Sequence, residues 1–219
     1  MPVKLIIFDL DGTLIDSSKD ITEAINYAIK PYGLGPLTTE DTIKLVGEGI
    51  SRLIERLLLN SPFEIDDGIR KEVIERFLEY YSHHLLDNTK EYPGVRETLE
   101  RLGGYKKAVI SNKREALSRR ILEGLGLDRF FEMIVGSDST PEKKPSALPV
   151  IKVLRDLDIR PEEAVIVGDS NLDIEAGRSA GLKTISVTYG YRPYEMIKDA
   201  DYIIDRIDGL IEILAGLNR

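Results

Sequence analysis

The chain has 219 residues, 42% of them hydrophobic, and its 30 basic and 38 acidic residues give a net charge of −8. This length fits one large domain or a domain with an insertion, and the acidic charge disfavours nucleic acids as partners, because phosphate contacts need clustered Lys and Arg. The chain has no cysteine, which excludes disulfides, thiolate metal sites and Cys nucleophiles. No apolar run is long enough for a signal peptide or for the roughly 20 residues of a membrane span. We therefore expect a cytoplasmic protein that does not bind membranes.

Short apolar segments along the chain predict the strands of a parallel sheet. The first, Val3–Phe8, is a mostly apolar run typical of a strand that is buried on both faces. The later segments are Ala108–Ile110, Met133–Val135, Ala164–Val167, Thr184–Val187 and Tyr202–Ile204.

Helical patterns separate most of these strands. Pro93–Gly94 starts a helix before the second strand, and apolar residues three and four positions apart predict later helices. Because strands that alternate with helices are typical of βαβ units, the sequence predicts an α/β fold whose core is a doubly wound, Rossmann-like parallel sheet. The later predicted helices are Arg114–Leu125, Pro149–Leu157, Asn171–Ala180 and Leu210–Leu217.

The stretch from about Ser18 to Leu86 interrupts this alternation, because it has helical periodicity and no convincing strand. At roughly 70 residues, it is far longer than an ordinary connection between a strand and a helix. We therefore predict a core domain of residues 1–14 and 86–219, and an inserted all-helical domain of residues 15–85.

Two aspartates follow the first strand in the sequence Asp9-Leu10-Asp11-Gly12-Thr13. Residues two apart on a strand point to the same side, and two neighbouring carboxylates are hard to ionise together. A divalent cation removes this conflict, and oxygen ligands favour Mg²⁺ over zinc. The alternative is a solvated acidic turn. Gly12 allows the tight turn that would present backbone N–H groups to a ligand.

The next strand ends are polar or basic. Ser111-Asn112-Lys113 precedes a predicted helix, so its hydroxyl and backbone N–H groups could hold an anion. The alternative is an ordinary helix N-cap. Lys144, in Lys143-Lys144-Pro145, could balance an acidic cluster or a phosphate, or could belong to a solvated basic turn.

A further carboxylate follows the strand Ala164–Val167, in the sequence Gly168-Asp169-Ser170-Asn171-Leu172-Asp173. Open α/β sheets bind ligands at the carboxyl ends of their strands, so Asp169 could complete a metal site with Asp9 and Asp11. Alternatively, Asp169 is a helix N-cap and Asp173 favours the helix dipole.

Together, the motifs DLDGT, SN, KKP and GDSNLD resemble the four ordered motifs of the haloacid dehalogenase superfamily, over nearly the whole chain. The helical insertion resembles the cap domain of that family. Within the superfamily, the chain is most similar to phosphoglycolate phosphatases. This similarity rests on Leu45–Gly49, Ser111–Lys113 and Thr188–Tyr191, whereas Ala147 departs from a proline that is usual in the relatives.

The resemblance implies a catalytic role for each acidic residue. Asp9 would attack phosphorus and form an aspartyl-phosphate, as carboxylate nucleophiles do. Asp11 would protonate the leaving alkoxide and then activate water. Asp9, the backbone carbonyl of Asp11 and Asp169 would hold Mg²⁺, and Asp173 would lie just outside them.

The resemblance also implies how the phosphate is held, since phosphoryl transfer depends mainly on positioning and charge neutralisation. Lys144 and Ser111, with backbone N–H groups near Gly12 and Asn112, would grip the phosphoryl oxygens. The remaining phosphate contacts would come from Thr13 and Lys113.

The expected function is therefore Mg²⁺-dependent hydrolysis of a small phosphomonoester, 2-phosphoglycolate above all, by a monomer or a homodimer. Another capped phosphotransferase, of the β-phosphoglucomutase or pyrophosphatase type, shares this chemistry and stays an alternative. A 2-haloacid dehalogenase is less compatible because it lacks the second aspartate of the first motif, here Asp11. A phospho-accepting signalling module would have no use for a cap.

Substrate discrimination is expected from the cap. Gly47 and Gly49 lie between two helical patterns, and glycines allow the backbone to approach a small ligand closely. Backbone N–H groups there, followed by a helix N-terminus, could receive the substrate carboxylate when the cap closes.

Overall fold

A parallel sheet of six strands forms the centre of the larger of two units in the computed structural model, which describes residues 2–59 and 66–219. All the predicted strands are present, within two residues of the expected bounds. In chain order, the six strands are β1 (Leu5–Phe8), β4 (Lys106–Ile110), β5 (Met133–Val135), β6 (Ala164–Gly168), β7 (Lys183–Val187) and β8 (Tyr202–Ile204).

The strand order is β5-β4-β1-β6-β7-β8, so β1 lies in the interior of the sheet. Leu5–Phe8 pairs in parallel with Lys106–Val109 on one side and with Ala164–Val167 on the other. All four residues of β1 are fully buried. This burial explains why β1 reads as a continuous apolar run, because helices cover both faces of such a sheet.

The predicted helices of this unit are all present, the four with predicted bounds to within one residue at each end, and one further short helix, Tyr194–Ile197, was not predicted. They alternate with the strands, so the α/β fold class is confirmed. The helices are α5 (Val95–Arg101), α6 (Glu115–Gly124), α7 (Leu148–Asp156), α8 (Asn171–Ser179), α9 (Tyr194–Ile197) and α10 (Leu210–Leu217).

The strand order reverses direction between β1 and β6. After β1 the chain builds β4 and β5 on one side, and after β6 it builds β7 and β8 on the other side. The connections that leave β1 and β6 therefore diverge and open a crevice at the carboxyl ends of these strands. Ligands bind in such crevices in open α/β sheets, and here the crevice is bordered by the residues after Phe8 and after Gly168.

The second unit, Ser17–Lys90, is helical, and the larger unit comprises Met1–Asp16 and Glu91–Arg219. Apolar side chains from its helices are buried, among them Ile25, Ile54 and Phe77. Residues 60–65 of the predicted helical insertion lie outside the described residues. The helices are α1 (Ser18–Ile29), α2 (Thr39–Leu45), α3 (Ile50–Leu58) and α4 (Asp67–His83).

Two short strands, β2 (Ile15–Asp16) and β3 (Lys90–Glu91), form a separate two-stranded sheet that the sequence did not predict. Two residues are too few to show an alternating pattern, so this sheet has no periodic signal. Among the helices described for this chain, none is long and apolar enough to cross a membrane.

Candidate active site

The turn after β1 carries Asp9 and Asp11. The carbonyl oxygen of Leu10 accepts hydrogen bonds from the amides of Thr13, Leu14 and Ile15, at 3.3, 2.9 and 3.1 Å, and this closes a tight turn. The amide of Leu10 donates to Oδ1 of Asp9 at 2.7 Å. The local backbone thus fixes the Asp9 carboxylate before any ligand binds.

Gly12 is required in this turn for two reasons. Its φ of +85° lies in the left-handed region, which glycine adopts without steric cost. A Cβ at this position would also lie 3.0 Å from Oδ1 of Asp169 and would clash with Oδ2 of the same carboxylate. The turn after β1 therefore packs directly against the aspartate that follows β6.

Lys144 is the buried cation of the site. Its Nζ lies 2.8 Å from Oδ1 of Asp9 and 2.6 Å from Oδ1 of Asp173, and its side chain is only 2% exposed. Burial by itself would lower the pKa of Lys144, but the Asp173 and Asp9 carboxylates outweigh it and raise that pKa above its usual value. Lys144 is therefore a permanently charged ammonium between two carboxylates.

Asp9, Asp169 and Asp173 form an acidic cluster, in which one carboxylate oxygen from each lies within 4.8 Å of the others. Burial, and then repulsion from Asp173, raises the pKa of Asp169 to about 7. Burial also raises the pKa of Asp9 well above its usual value, against the opposing effect of Lys144.

The donor set of this acidic cluster suits a hard divalent cation. It consists of carboxylate oxygens, which are the ligands that Mg²⁺ prefers. A bound cation would also offset the burial and the repulsion that disfavour the ionised forms of Asp9 and Asp169.

Asp173 is held by the start of α8. Its Oδ2 accepts hydrogen bonds from the Ser170 hydroxyl at 2.6 Å and from the Ser170 amide at 3.2 Å. Both carboxylate oxygens of Asp173 are thus engaged, one by the helix cap and one by Lys144. This arrangement supports a role in orienting Lys144 beside Asp9.

The loop after β4 contributes Ser111, Asn112 and Lys113. The Ser111 hydroxyl accepts from the Lys113 amide at 3.2 Å, and the Asn112 side-chain amide donates to the Lys144 carbonyl at 2.9 Å. The Lys113 Nζ lies 2.7 Å from Oδ1 of Asp11, and both side chains are nearly buried. Each of the two aspartates after β1 is therefore paired with a different lysine.

The remaining predicted site residues are Thr13, Gly47 and Gly49. The Thr13 hydroxyl is fully buried and finds no hydrogen-bond partner among the described residues. Gly47 and Gly49 belong to the helical unit, between α2 and α3, and their φ angles are +117° and +80°. Glycine is therefore favoured at both positions by the backbone alone, while a role in carboxylate binding stays a prediction.

The sequence did not indicate one residue that contacts the acidic cluster. The amide of Tyr191, in the loop after β7, donates to Oδ2 of Asp169 at 2.6 Å. A backbone donor has no residue-type signal, although the Thr188–Tyr191 segment was recognisable as similar to phosphoglycolate phosphatases.

Comparisons with known proteins agree with this geometry. A family described as haloacid dehalogenase-like hydrolase matches residues 6–187. A phosphoglycolate phosphatase of Aquifex aeolicus is 41% identical and one of Chromobacterium violaceum is 39% identical, with at least 96% of each chain covered. The crystal structure of a predicted phosphoglycolate phosphatase from Haemophilus somnus superposes with a TM-score of 0.90 at 33% identity, covering 96% of this chain and 97% of that one.

These relatives match nearly the whole length of the chain, and the family match includes both the turn after β1 and the acidic cluster. The expectation of a hydrolase that acts on phosphate esters is confirmed. The chain is a phosphatase, and it belongs to the haloacid dehalogenase-like hydrolase family.

Proposed function

We propose that this phosphatase hydrolyses 2-phosphoglycolate to glycolate and phosphate, with Mg²⁺ and through an aspartyl-phosphate on Asp9. One observation supports this proposal above the others. The Asp9 carboxylate lies where the strand order reverses, 2.8 Å from a buried lysine and within the acidic cluster. The site thereby combines a nucleophile, a fixed cation and carboxylates that could bind a metal ion.

The contacts of Asp9 suit a nucleophile. Both the Leu10 amide and the Lys144 ammonium engage Oδ1, so we assign the attack on phosphorus to Oδ2. The Oδ2–P bond forms as the bond from phosphorus to the ester oxygen breaks. Because the carboxylate is already oriented, little reorganisation is needed on the way to the transition state.

Asp11 is assigned the proton transfers. It would protonate the oxygen of the leaving glycolate and then take a proton from the water that attacks the aspartyl-phosphate. Asp11 lies two residues beyond Asp9 on the same turn. In the structure, Oδ1 of Asp11 lies 2.7 Å from Nζ of Lys113.

Lys144 and Ser111 are assigned to the phosphoryl group. The ammonium of Lys144 would neutralise charge on the phosphoryl oxygens near Asp9, and the nearly buried Ser111 hydroxyl would donate to one of them. Charge neutralisation by fixed donors is the main protein contribution in phosphoryl transfer.

Asp9, Asp169 and the backbone carbonyl of Asp11 would hold Mg²⁺. The cation would shield the attacking carboxylate from the negative charge of the phosphate. Asp173 would act on this group indirectly, through its contact with Lys144.

The choice of 2-phosphoglycolate rests on the relatives and on the charge distribution. The relatives named above are phosphoglycolate phosphatases. Lys113 brings a second ammonium to the site, beside the residue assigned to the leaving group. A leaving group with its own carboxylate, such as glycolate, would be favoured by a positive charge at that end.

A phosphate-release screen with Mg²⁺ tests this proposal. The panel contains 2-phosphoglycolate, ethyl phosphate, β-glucose 1-phosphate and pyrophosphate. We expect the highest kcat/KM with 2-phosphoglycolate. A clear preference for the sugar phosphate or for pyrophosphate would contradict the proposed substrate and favour another capped phosphotransferase.

A further inference from the structure

The loop after β7 reaches two separate parts of the site. The hydroxyl of Tyr189 donates to the backbone carbonyl of Thr13 at 2.9 Å, and the amide of Tyr191 donates to Oδ2 of Asp169 at 2.6 Å. Tyr189 through Tyr191, called the clamp segment below, thus contacts both the turn after β1 and the aspartate after β6.

Gly190 lies at the centre of the clamp segment and is in close contact with the same two parts. A Cβ on this residue would lie 2.5 Å from the carbonyl oxygen of Gly12 and 2.6 Å from Oδ2 of Asp169, and would clash with the Asp169 Cβ. These distances are shorter than van der Waals contact, so glycine is required here by the lack of space. The backbone of the clamp segment therefore touches the turn after β1 and Asp169 at once.

A ring contact and a hydrogen bond also hold the clamp segment in place. The Tyr189 ring packs against Tyr92, with the ring centroids 4.8 Å apart, and the Tyr191 hydroxyl donates to Oδ1 of Asp16 at 3.3 Å. The clamp segment thus contacts Asp16, which follows β1, and Tyr92, which follows β3. Several independent contacts therefore determine its position.

We propose that Tyr189, Gly190 and Tyr191 are positioning residues, which fix the Asp169 carboxylate relative to the turn that carries Asp9. The inference rests on the proposed function, because it takes Asp169 as a ligand of the divalent cation. The amide of Tyr191 engages Oδ2 of Asp169, which would leave Oδ1 as the oxygen that holds the cation. Residues that orient a metal ligand in this way typically change metal affinity or activity by about 10–100-fold when they are altered.

The main test is Gly190→Ala, which adds only the methyl group that the structure cannot accommodate. We expect the Kd for Mg²⁺, measured by titration calorimetry, to rise by about 10–100-fold. The kcat of the variant should fall at low Mg²⁺ and recover in part at high Mg²⁺. A merely structural role would not give this recovery.

Gly104→Ala is the matched control. Gly104 lies in the same unit, and a Cβ there would have no neighbour within 4 Å. Its Mg²⁺ affinity should equal that of the wild type. If Gly190→Ala binds Mg²⁺ as tightly as Gly104→Ala does, the proposal is wrong.

Tyr189→Phe decides the question if Gly190→Ala does not fold. It keeps the ring that packs on Tyr92 and removes only the hydrogen bond to Thr13. We expect kcat to fall about fivefold, the value of one neutral hydrogen bond, with little change in KM. An unchanged kcat would overturn the role of Tyr189.

The calorimetric measurement also separates this inference from the proposed function. Wild-type protein that binds no Mg²⁺ would contradict the proposed function itself. Wild-type protein that binds Mg²⁺, with Gly190→Ala binding it equally well, would contradict the clamp segment alone.

Discussion

Replacing Lys144 by methionine should destabilise the protein in a pH-dependent way. The Nζ of Lys144 lies 2.8 Å from Asp9 and 2.6 Å from Asp173, and these side chains are 13% and 3% exposed. Methionine has a similar length without the charge, so Lys144→Met leaves two enclosed carboxylates without the ammonium that both contact. Removing one partner from a buried ion pair costs about 3–5 kcal/mol, and we expect a loss of that size at pH 7.5.

The loss should shrink as the pH falls. Burial already raises the pKa of Asp9, and without Lys144 that pKa should rise further. Between about pH 4 and neutrality the folded variant then binds protons that the unfolded chain does not, so its free energy of unfolding increases toward acid pH. The titration of Lys144 itself adds no pH dependence to the free energy of unfolding in this range. Its raised pKa gives a stabilisation that is complete below about pH 10 and is lost only as the pH rises through the folded value.

Lys107→Met is the matched control. Lys107 is also buried, but its Nζ donates to the carbonyl oxygens of Leu102 at 2.9 Å and Tyr105 at 2.8 Å. Its loss should cost about 1–3 kcal/mol, by the same amount at pH 5 and at pH 7.5. Urea unfolding followed by circular dichroism measures both variants, and hydrogen exchange of the β1 amides separates the larger unit from the helical one. If Lys144→Met loses the same free energy at both pH values, Lys144 does not hold ionised carboxylates in place.

Three further predictions concern activity. EDTA should abolish turnover and Mg²⁺ should restore it, whereas Ca²⁺ should inhibit because of its larger and looser coordination shell; full activity without metal would contradict the mechanism. Asp11→Asn should lower the rate of hydrolysis by about 10²–10⁴-fold. The rate at which the aspartyl-phosphate forms should fall less with p-nitrophenyl phosphate as the substrate than with an alkyl phosphate. Equal losses with the two substrates in burst experiments would argue against the acid role. Gly47→Val, Gly49→Val and Lys113→Met test where the carboxylate is recognised. A variant altered at the residue that binds the carboxylate should lose kcat/KM for 2-phosphoglycolate by on the order of tenfold or more relative to ethyl phosphate. Equal losses with both esters would show that the altered residue does not recognise the carboxylate.

The fold could be predicted where burial leaves a periodic pattern in the sequence. β1 reads as an apolar run because both of its faces are covered, and α10 begins and ends at Leu210 and Leu217 as its apolar spacing predicts. β2 and β3 have two residues each, and their pairing depends on where the chain enters and leaves the insertion. No local sequence pattern indicates such a pairing.

The candidate site could be predicted in its residue types but not in its contacts. Asp9, Asp169 and Lys144 were identified from motifs that follow strands. The sheet order places β1 and β6, which precede Asp9 and Asp169, side by side, and Lys144 contacts Asp9 from the loop after β5. The sequence could not show that Lys113 pairs with Asp11, since the two residues are far apart in the chain. Nor could it show the Tyr191 amide at Asp169, because every residue except proline has that donor.

The measurement that tests the central claim most directly is chemical trapping of the phosphorylated aspartate. Asp11→Asn protein is mixed with p-nitrophenyl phosphate and Mg²⁺ and is then quenched with borohydride, which reduces an acyl phosphate to an alcohol. If Asp9 is the nucleophile, peptide mass spectrometry should find homoserine at position 9, and the signal should be missing from the Asp9→Asn variant. Turnover that leaves position 9 unmodified, or a reduced residue at any other aspartate, would contradict the mechanism.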